Sequence, residues 1–127
     1  MSAQIDPTNS RDGLASADSL CTGAEAALET GAFGPAVEGF LRAMDADPSS
    51  ARAWGGIGVG CFRQGLRKSA RIFFEMAVRL DPADEDSVLN WAESTGRELT
   101  NEQARSFLEQ AGVGATLVGK AIEVRGG

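Results

Sequence analysis

"QGLRKSARIFFEMAVRLDPAD", residues 64–84, repeats the outline of "TGAFGPAVEGFLRAMDADPSS", residues 30–50. Gly31 pairs with Gly65, Ala36 with Ala70, Phe40 with Phe74, Ala43 with Ala77 and Asp47-Pro48 with Asp81-Pro82, each pair 34 positions apart. One more step reaches Ala104 from Ala70 and Ala111 from Ala77, with Leu108 in place of the phenylalanine. A fixed period in this range marks stacked units, none of which buries its apolar face alone. Within a unit, the alanine, phenylalanine and second alanine fall at i, i+4 and i+7, one stripe of an amphipathic helix. Small alanines let two antiparallel helices come close, and the aromatic fills the gap between adjacent hairpins. Asp-Pro then stops the helix, because proline lacks a donor and disfavours helical geometry in the residue before it.

The period and the residue types at these offsets resemble the tetratricopeptide repeat. With Pro48 and Pro82 at repeat position 32, the repeats are 17–50, 51–84 and a decayed 85–118. The family's Trp-x2-Leu-Gly-x2-Tyr becomes Trp54, Ile57, Gly58 and Cys61 in the second repeat, followed by Ala70, Phe74, Ala77 and Pro82. In the first repeat Leu20, Ala24 and Ala27 stand at the tryptophan, glycine and tyrosine positions, and in the third Thr116 replaces the closing proline. The resemblance implies an all-α fold, a right-handed α-α superhelix of about three helical hairpins.

Helices are predicted at about 17–29, 34–46, 50–63, 67–80, 84–95 and 101–111. Ser49 or Ser50 caps the third, and Thr100-Asn-Glu-Gln103 reads as a capping box for the sixth. Residues 1–16 are polar and are expected to be a disordered N-terminal segment. Residues 113–125 place Leu117, Val118, Ala121 and Ile122 on one face, as expected of a capping helix that covers the end of the stack. A strand or partner-bound segment is the alternative there, since Gly114 and Gly119 weaken a helix.

"WGGIGVGC", residues 54–61, raises the question of a phosphate-cradling loop. Neither dinucleotide spacing closes: the third glycine would fall on Cys61 or on Arg63. A phosphate loop would end in Gly-Lys-Ser/Thr, but Lys68-Ser69 follows Arg67. In the repeat register Gly58 occupies the family's small position, whereas Gly55, Gly56 and Gly60 are not required by it. Each of the three costs about 0.8–1 kcal/mol against alanine, which predicts the softest helix of its repeat. Gly55 is expected to face the groove, either through neutral drift or to leave room for a partner.

Composition narrows the function. The chain has 127 residues, a net charge of −6 and no histidine. Without histidine there is no Ser-His or Cys-His nucleophile pair, and the commonest metal ligand is missing. The negative balance argues against nucleic acid as a partner. No apolar run is long enough to span a membrane, and the start lacks a secretory signal's basic and apolar regions. Two cysteines 40 residues apart form neither a disulfide framework nor a metal motif, and a cytoplasmic home fits these absences. No cofactor, metal or enzymatic activity is expected, and the acids of "DPADED" (81–86) read as helix-start charges.

Family resemblance places repeat positions 2, 5, 9, 12 and 13 on the concave face. The expected groove therefore comprises Cys21, Glu25 and Leu28 from the first repeat. The second gives Arg52, Gly55, Val59, Phe62 and Arg63, and the third Leu89, Glu93 and Arg97, with Asp18, Glu29, Asp86 and Gly96 at the remaining positions. Its apolar strip of Leu28, Val59, Phe62 and Leu89 suits a protein or peptide ligand with spaced apolar anchors. Relatives that clamp acidic chaperone C-termini carry asparagine and lysine or arginine at matching positions. Position 9 here is Glu25, Val59 and Glu93, and position 5 is Cys21, Gly55 and Leu89, so a carboxylate clamp is not expected.

Charge is partitioned by repeat. One arginine meets six acids in 17–50, six Lys/Arg meet three acids in 51–84, and two arginines meet six acids in 85–118. This pattern provides attraction between repeats, and could also select a partner or favour a homodimer. The leading expectation is a non-catalytic protein–protein interaction module, a scaffold with a peptide-holding groove. "CFRQG" through "NWAES" is similar to the central block of class II chaperones of bacterial type III secretion. The family's third-repeat His-Ala-Ala-Glu-Cys stands here as Asn90-Trp91-Ala92-Glu93-Ser94. A further alternative is an accessory repeat region of a larger enzyme such as a glycosyltransferase, although the initiator methionine and capping helix favour a complete small protein.

Overall fold

The computed structural model describes residues 16–126. Among them lie seven helices and no strand: α1 (Ala17–Glu29), α2 (Phe33–Ala46), α3 (Ala51–Arg63), α4 (Arg67–Leu80), α5 (Glu85–Thr95), α6 (Asn101–Gln110) and α7 (Ala115–Val124). Of the segment expected to be disordered, residues 1–15 lie outside the described residues, and Ser16 caps α1 by accepting from the Ser19 amide at 3.1 Å. Each helix packs on the next from α1 to α5, and α1 also touches α3, as stacked hairpins require.

Local chemistry sets the ends. The amides of Asp47 and Asp81 each close on the carbonyl four residues back, Ala43 and Ala77, at 2.9 Å, and proline ends the helix there. Ser50 and Asp84, 34 residues apart, cap the next helices by accepting from the Ala53 and Ser87 amides. The Thr100 box forms in both directions: Gln103 N donates to Thr100 Oγ1 at 3.0 Å and Thr100 N to Gln103 Oε1 at 2.9 Å. Gly31 and Gly65 turn the first two hairpins with φ of 81° and 82°, where a side chain would be strained.

The core follows the 34-residue period. Ala36, Ala70 and Ala104 are buried in register, as are Phe40, Phe74 and Leu108. Full burial of each large side chain contributes about 1.5–3 kcal/mol. The glycines of α3 turn out to belong to this packing. A β-carbon on Gly56 would overlap the Phe40 ring, one on Gly58 the Phe74 ring, and one on Gly60 the Cγ2 of Val37. The expectation that only Gly58 answers a packing demand is therefore corrected, because rings and a branched side chain from α2 and α4 rest directly on the α3 backbone. Gly55 alone has room: its β-carbon would sit 3.6 Å from Ser87 Oγ and 3.7 Å from Ala77 Cβ, ordinary contact distances.

The third hairpin departs from the first two. Its first helix stops at Thr95, and Gly96, at φ 53°, opens a longer connection to α6. The α5 and α6 backbones hardly approach one another. Trp91 spans the interval, stacked on Phe107 of α6 at 4.6 Å, while its Nε1 donates to Glu75 Oε2 of α4 at 3.1 Å. Helix α7 lies against both α5 and α6 and buries Val118, Ala121 and Ile122, so residues 115–124 form a helix rather than a strand. Arg125 ties down the α5–α6 connection. Its Nε donates to Thr95 Oγ1 at 2.9 Å, Nη2 to the Gly96 carbonyl at 3.3 Å and to the Leu99 carbonyl, and Nη1 to Asn101 Oδ1.

Candidate functional site

Helices α1, α3 and α5, the first members of the three hairpins, enclose a concavity of about 460 Å³. That volume falls within the roughly 300–1,000 Å³ typical of ligand sites. Its wall from α1 is Glu25 and Leu28; from α3 come Ala51, Arg52, Gly55, Gly56 and Val59; the far side is Asp81, Asp84, Asp86, Ser87 and Asn90, with Phe40 beneath. A second depression of about 480 Å³, sharing Glu25 and Leu28, continues past Glu29 and Arg63.

Six of the residues expected in the groove thus meet around one cavity: Glu25, Leu28, Arg52, Gly55, Val59 and Asp86, with Glu29 and Arg63 on the adjoining depression. Spacing explains why. Glu25 and Leu28 sit one turn apart on α1, and Arg52, Gly55 and Val59 follow at i, i+3 and i+7 on α3, so each set forms one helical stripe. The bareness of Gly55 leaves the α3 wall low opposite Ser87, while Phe40 takes up the space above Gly56.

Other expected residues lie elsewhere. Cys21 is a correction: its side chain is fully buried, with Ser50 and Arg52 of the next hairpin beside the thiol, so it offers no groove surface. Phe62 lies outside the cavity, half-buried and edge-on to Phe74 at 6.4 Å, with the Arg67 guanidinium 5.4 Å above its ring. Leu89 is half-buried against the core. Glu93 and Arg97 are exposed and border neither depression; the Glu93 backbone carbonyl accepts from Arg67 Nη1 at 2.8 Å.

One ion pair organises the cavity. Arg52 reaches Glu25 with two parallel bonds, Nε to Oε2 at 2.8 Å and Nη2 to Oε1 at 2.6 Å, the planar match that arginine favours. Nη2 also donates to Thr22 Oγ1 at 3.1 Å, and Nη1 points to the Asp18 carbonyl at 3.3 Å and its carboxylate at 3.6 Å. The hydrogen bond from Arg52 holds the Glu25 carboxyl below the usual carboxylate range, and Glu25 in turn raises the arginine.

Neither thiol is activated. Burial pushes Cys21 up against the opposing pull of Arg52, and burial alone pushes up Cys61. Among the described residues no group of three or more His, Cys, Asp or Glu side chains could hold a metal ion. Nor is any helix there long and apolar enough to cross a membrane. What the cavity offers is surface: an apolar floor of Leu28, Gly55 and Val59 beneath charged and hydroxyl-bearing walls.

The walls supplied by Asp81, Asp84, Ser87 and Asn90 were missed by position-by-position reading. Asp81 and Asp84 belong to the turn between hairpins, and Asn90 falls between the family's groove positions. The signal available was Asp84 itself, whose 34-residue partner Ser50 caps the helix that carries Arg52 and Gly55.

No protein-family model and no curated protein matches the chain by sequence. Among solved structures, the chain is similar to the first TPR of Spaghetti (RPAP3), determined bound to the HSP90 peptide SRMEEVD. The TM-score is 0.66 at 15% identity, over 85% of this chain and 89% of that one. The chain has the tetratricopeptide-repeat fold: a right-handed superhelix of three hairpins closed by a capping helix.

Proposed function

We propose that the protein is a non-catalytic binding module that holds a peptide or protein segment along the concave face of its hairpin stack. The observation that carries this reading is the 460 Å³ cavity, whose apolar floor lies between α1, α3 and α5. A segment with spaced apolar anchors fits such a trough, its side chains over Leu28 and Val59 and its polar backbone against the walls. The RPAP3 domain, of the same fold, was solved with a peptide bound. The working groove is Glu25, Leu28, Arg52, Gly55, Val59 and Arg63, extended by Phe62, Leu89, Glu93 and Arg97 for a longer ligand.

The cytoplasm suits this role, and a chaperone of secreted translocators is its narrower form, favoured by the similarity from "CFRQG" to "NWAES". Genes for translocators beside this one would support that form. The general reading is tested by affinity capture with the native chain and with Val59→Glu, which places a charge on the apolar floor. Captured partners are expected to be lost from Val59→Glu while its helical circular dichroism stays native. Equal capture by both would place the binding surface elsewhere.

A further inference from the structure

We infer that the segment held in this groove is cationic, presenting Lys or Arg beside an apolar anchor; the inference rests on the groove reading above. Among the described residues, Glu25, Asp81, Asp84 and Asp86 stand around the cavity, and Arg52 is the one cation on its wall. All three Arg52 nitrogens are already committed, to Glu25, Thr22 and Asp18. Glu25 and Arg52 therefore cancel, and the net charge facing the cavity comes from the three aspartates on the α5 side. Asp84 is occupied in part by capping Ser87, and Asp81 by accepting from the Ala83 amide at 3.3 Å. Asp86 is exposed and makes no hydrogen bond or ion pair with any described residue.

An apolar floor with unneutralised carboxylates along one wall discriminates by charge. Beside the three aspartates an acidic segment would bring like charges together, with no described guanidinium free at that end to receive it, whereas a lysine or arginine would meet uncompensated carboxylates. The arrangement also has a direction. The cationic side chain belongs at the Asp81–Asp86 end, its apolar neighbour over Leu28 and Val59, and the Arg63 end is the part of the trough that tolerates an acid.

The test is selection of displayed random dodecapeptides on the full chain, with Gly55→Leu and Asp86→Lys as comparison baits and SRMEEVD as an acidic probe. Gly55→Leu fills the trough; Asp86→Lys leaves it open and inverts its free charge. Both are checked for native helical circular dichroism. Enriched peptides are expected to be net positive, to lose binding to Gly55→Leu, and to weaken about fivefold on Asp86→Lys and further with added salt. Peptides that fail on Gly55→Leu but are acidic or indifferent to Asp86→Lys, or tight binding of SRMEEVD in the trough, would overturn the cationic preference and leave the groove standing. Peptides indifferent to Gly55→Leu, or no enrichment over that bait, would remove the groove and this inference with it.

Discussion

In the α3–α4 hairpin the bulk comes from the neighbours: Phe40, Val37 and Phe74 rest on bare glycine backbone. In the α5–α6 hairpin it comes from the helix itself, where Trp91, Ala92, Ser94 and Thr95 occupy the places of Ile57, Gly58, Gly60 and Cys61. The first arrangement lets helices approach closely; the second holds α5 and α6 apart around the stacked Trp91 and Phe107 rings. The hydroxyls introduced by the second donate inside their own helix. Ser94 Oγ donates to the Trp91 carbonyl and Thr95 Oγ1 to the Ala92 carbonyl, both at 2.7 Å. A repeat can therefore exchange bulk across an interface provided the volume is conserved, and what changes is how near the backbones come.

Deleting the bulk of the third hairpin should have the largest effect. Trp91→Ala removes a fully buried indole and the hydrogen bond it gives Glu75, which keeps only Arg71; a loss of about 3–5 kcal/mol is expected by urea unfolding. A loss under 1 kcal/mol would mean that α7, not Trp91, holds α5 to α6. Adding bulk to the second hairpin should hurt next. Gly58→Ala is expected to destabilise by about 1–3 kcal/mol through overlap with Phe74, despite alanine's better helix propensity. Gly55→Ala, in the same helix, should instead stabilise by about 0.8–1 kcal/mol, since its methyl meets only ordinary contacts. Same-sign shifts in thermal midpoint for these two variants would refute the packing contrast.

The smallest effect belongs to the Glu25–Arg52 pair that links the first two hairpins. Glu25's pKa is lowered on folding, so the pair's contribution is present above the unfolded carboxylate value, about 4.3, and fades as pH falls through the depressed one. Both side chains are some two-fifths exposed, and screening limits the term to under about 1 kcal/mol. The stability gap between native and Glu25→Gln should close in acid; a gap that persists there would show that packing, not charge, joins these hairpins.

Much of the fold was legible because its signals are local or periodic. Asp-Pro, Ser50, Thr100 with Gln103, and the glycine pair 31 and 65 each act within a few residues, and the 34-residue period aligns them. The glycines of α3 were not legible in the same way. Whether Gly56 is needed depends on Phe40, a residue of another helix, and propensity treats it only as a cost. Arg52, Gly55 and Val59 on α3 followed from the positions that the family resemblance implies, but Cys21 shows where register alone fails: the next hairpin's Ser50 and Arg52 stand beside it, and it is wholly buried. The acidic wall of Asp81 and Asp84 comes from a turn, which a reading confined to helix positions passes over.

The Arg125 clamp has a consequence for the order in which the molecule assembles. Hairpins one and two close between helices adjacent in sequence, across the short turns at Gly31 and Gly65. The third is fastened by a guanidinium 30 positions downstream of Thr95, so its fastening carries a longer closure entropy. On a ribosome the first two hairpins are therefore expected to be in place while the loop at 96–100 still waits for its tether. The far end of the trough, where Asp86 stands, would then be the last part of the binding surface to take its final form.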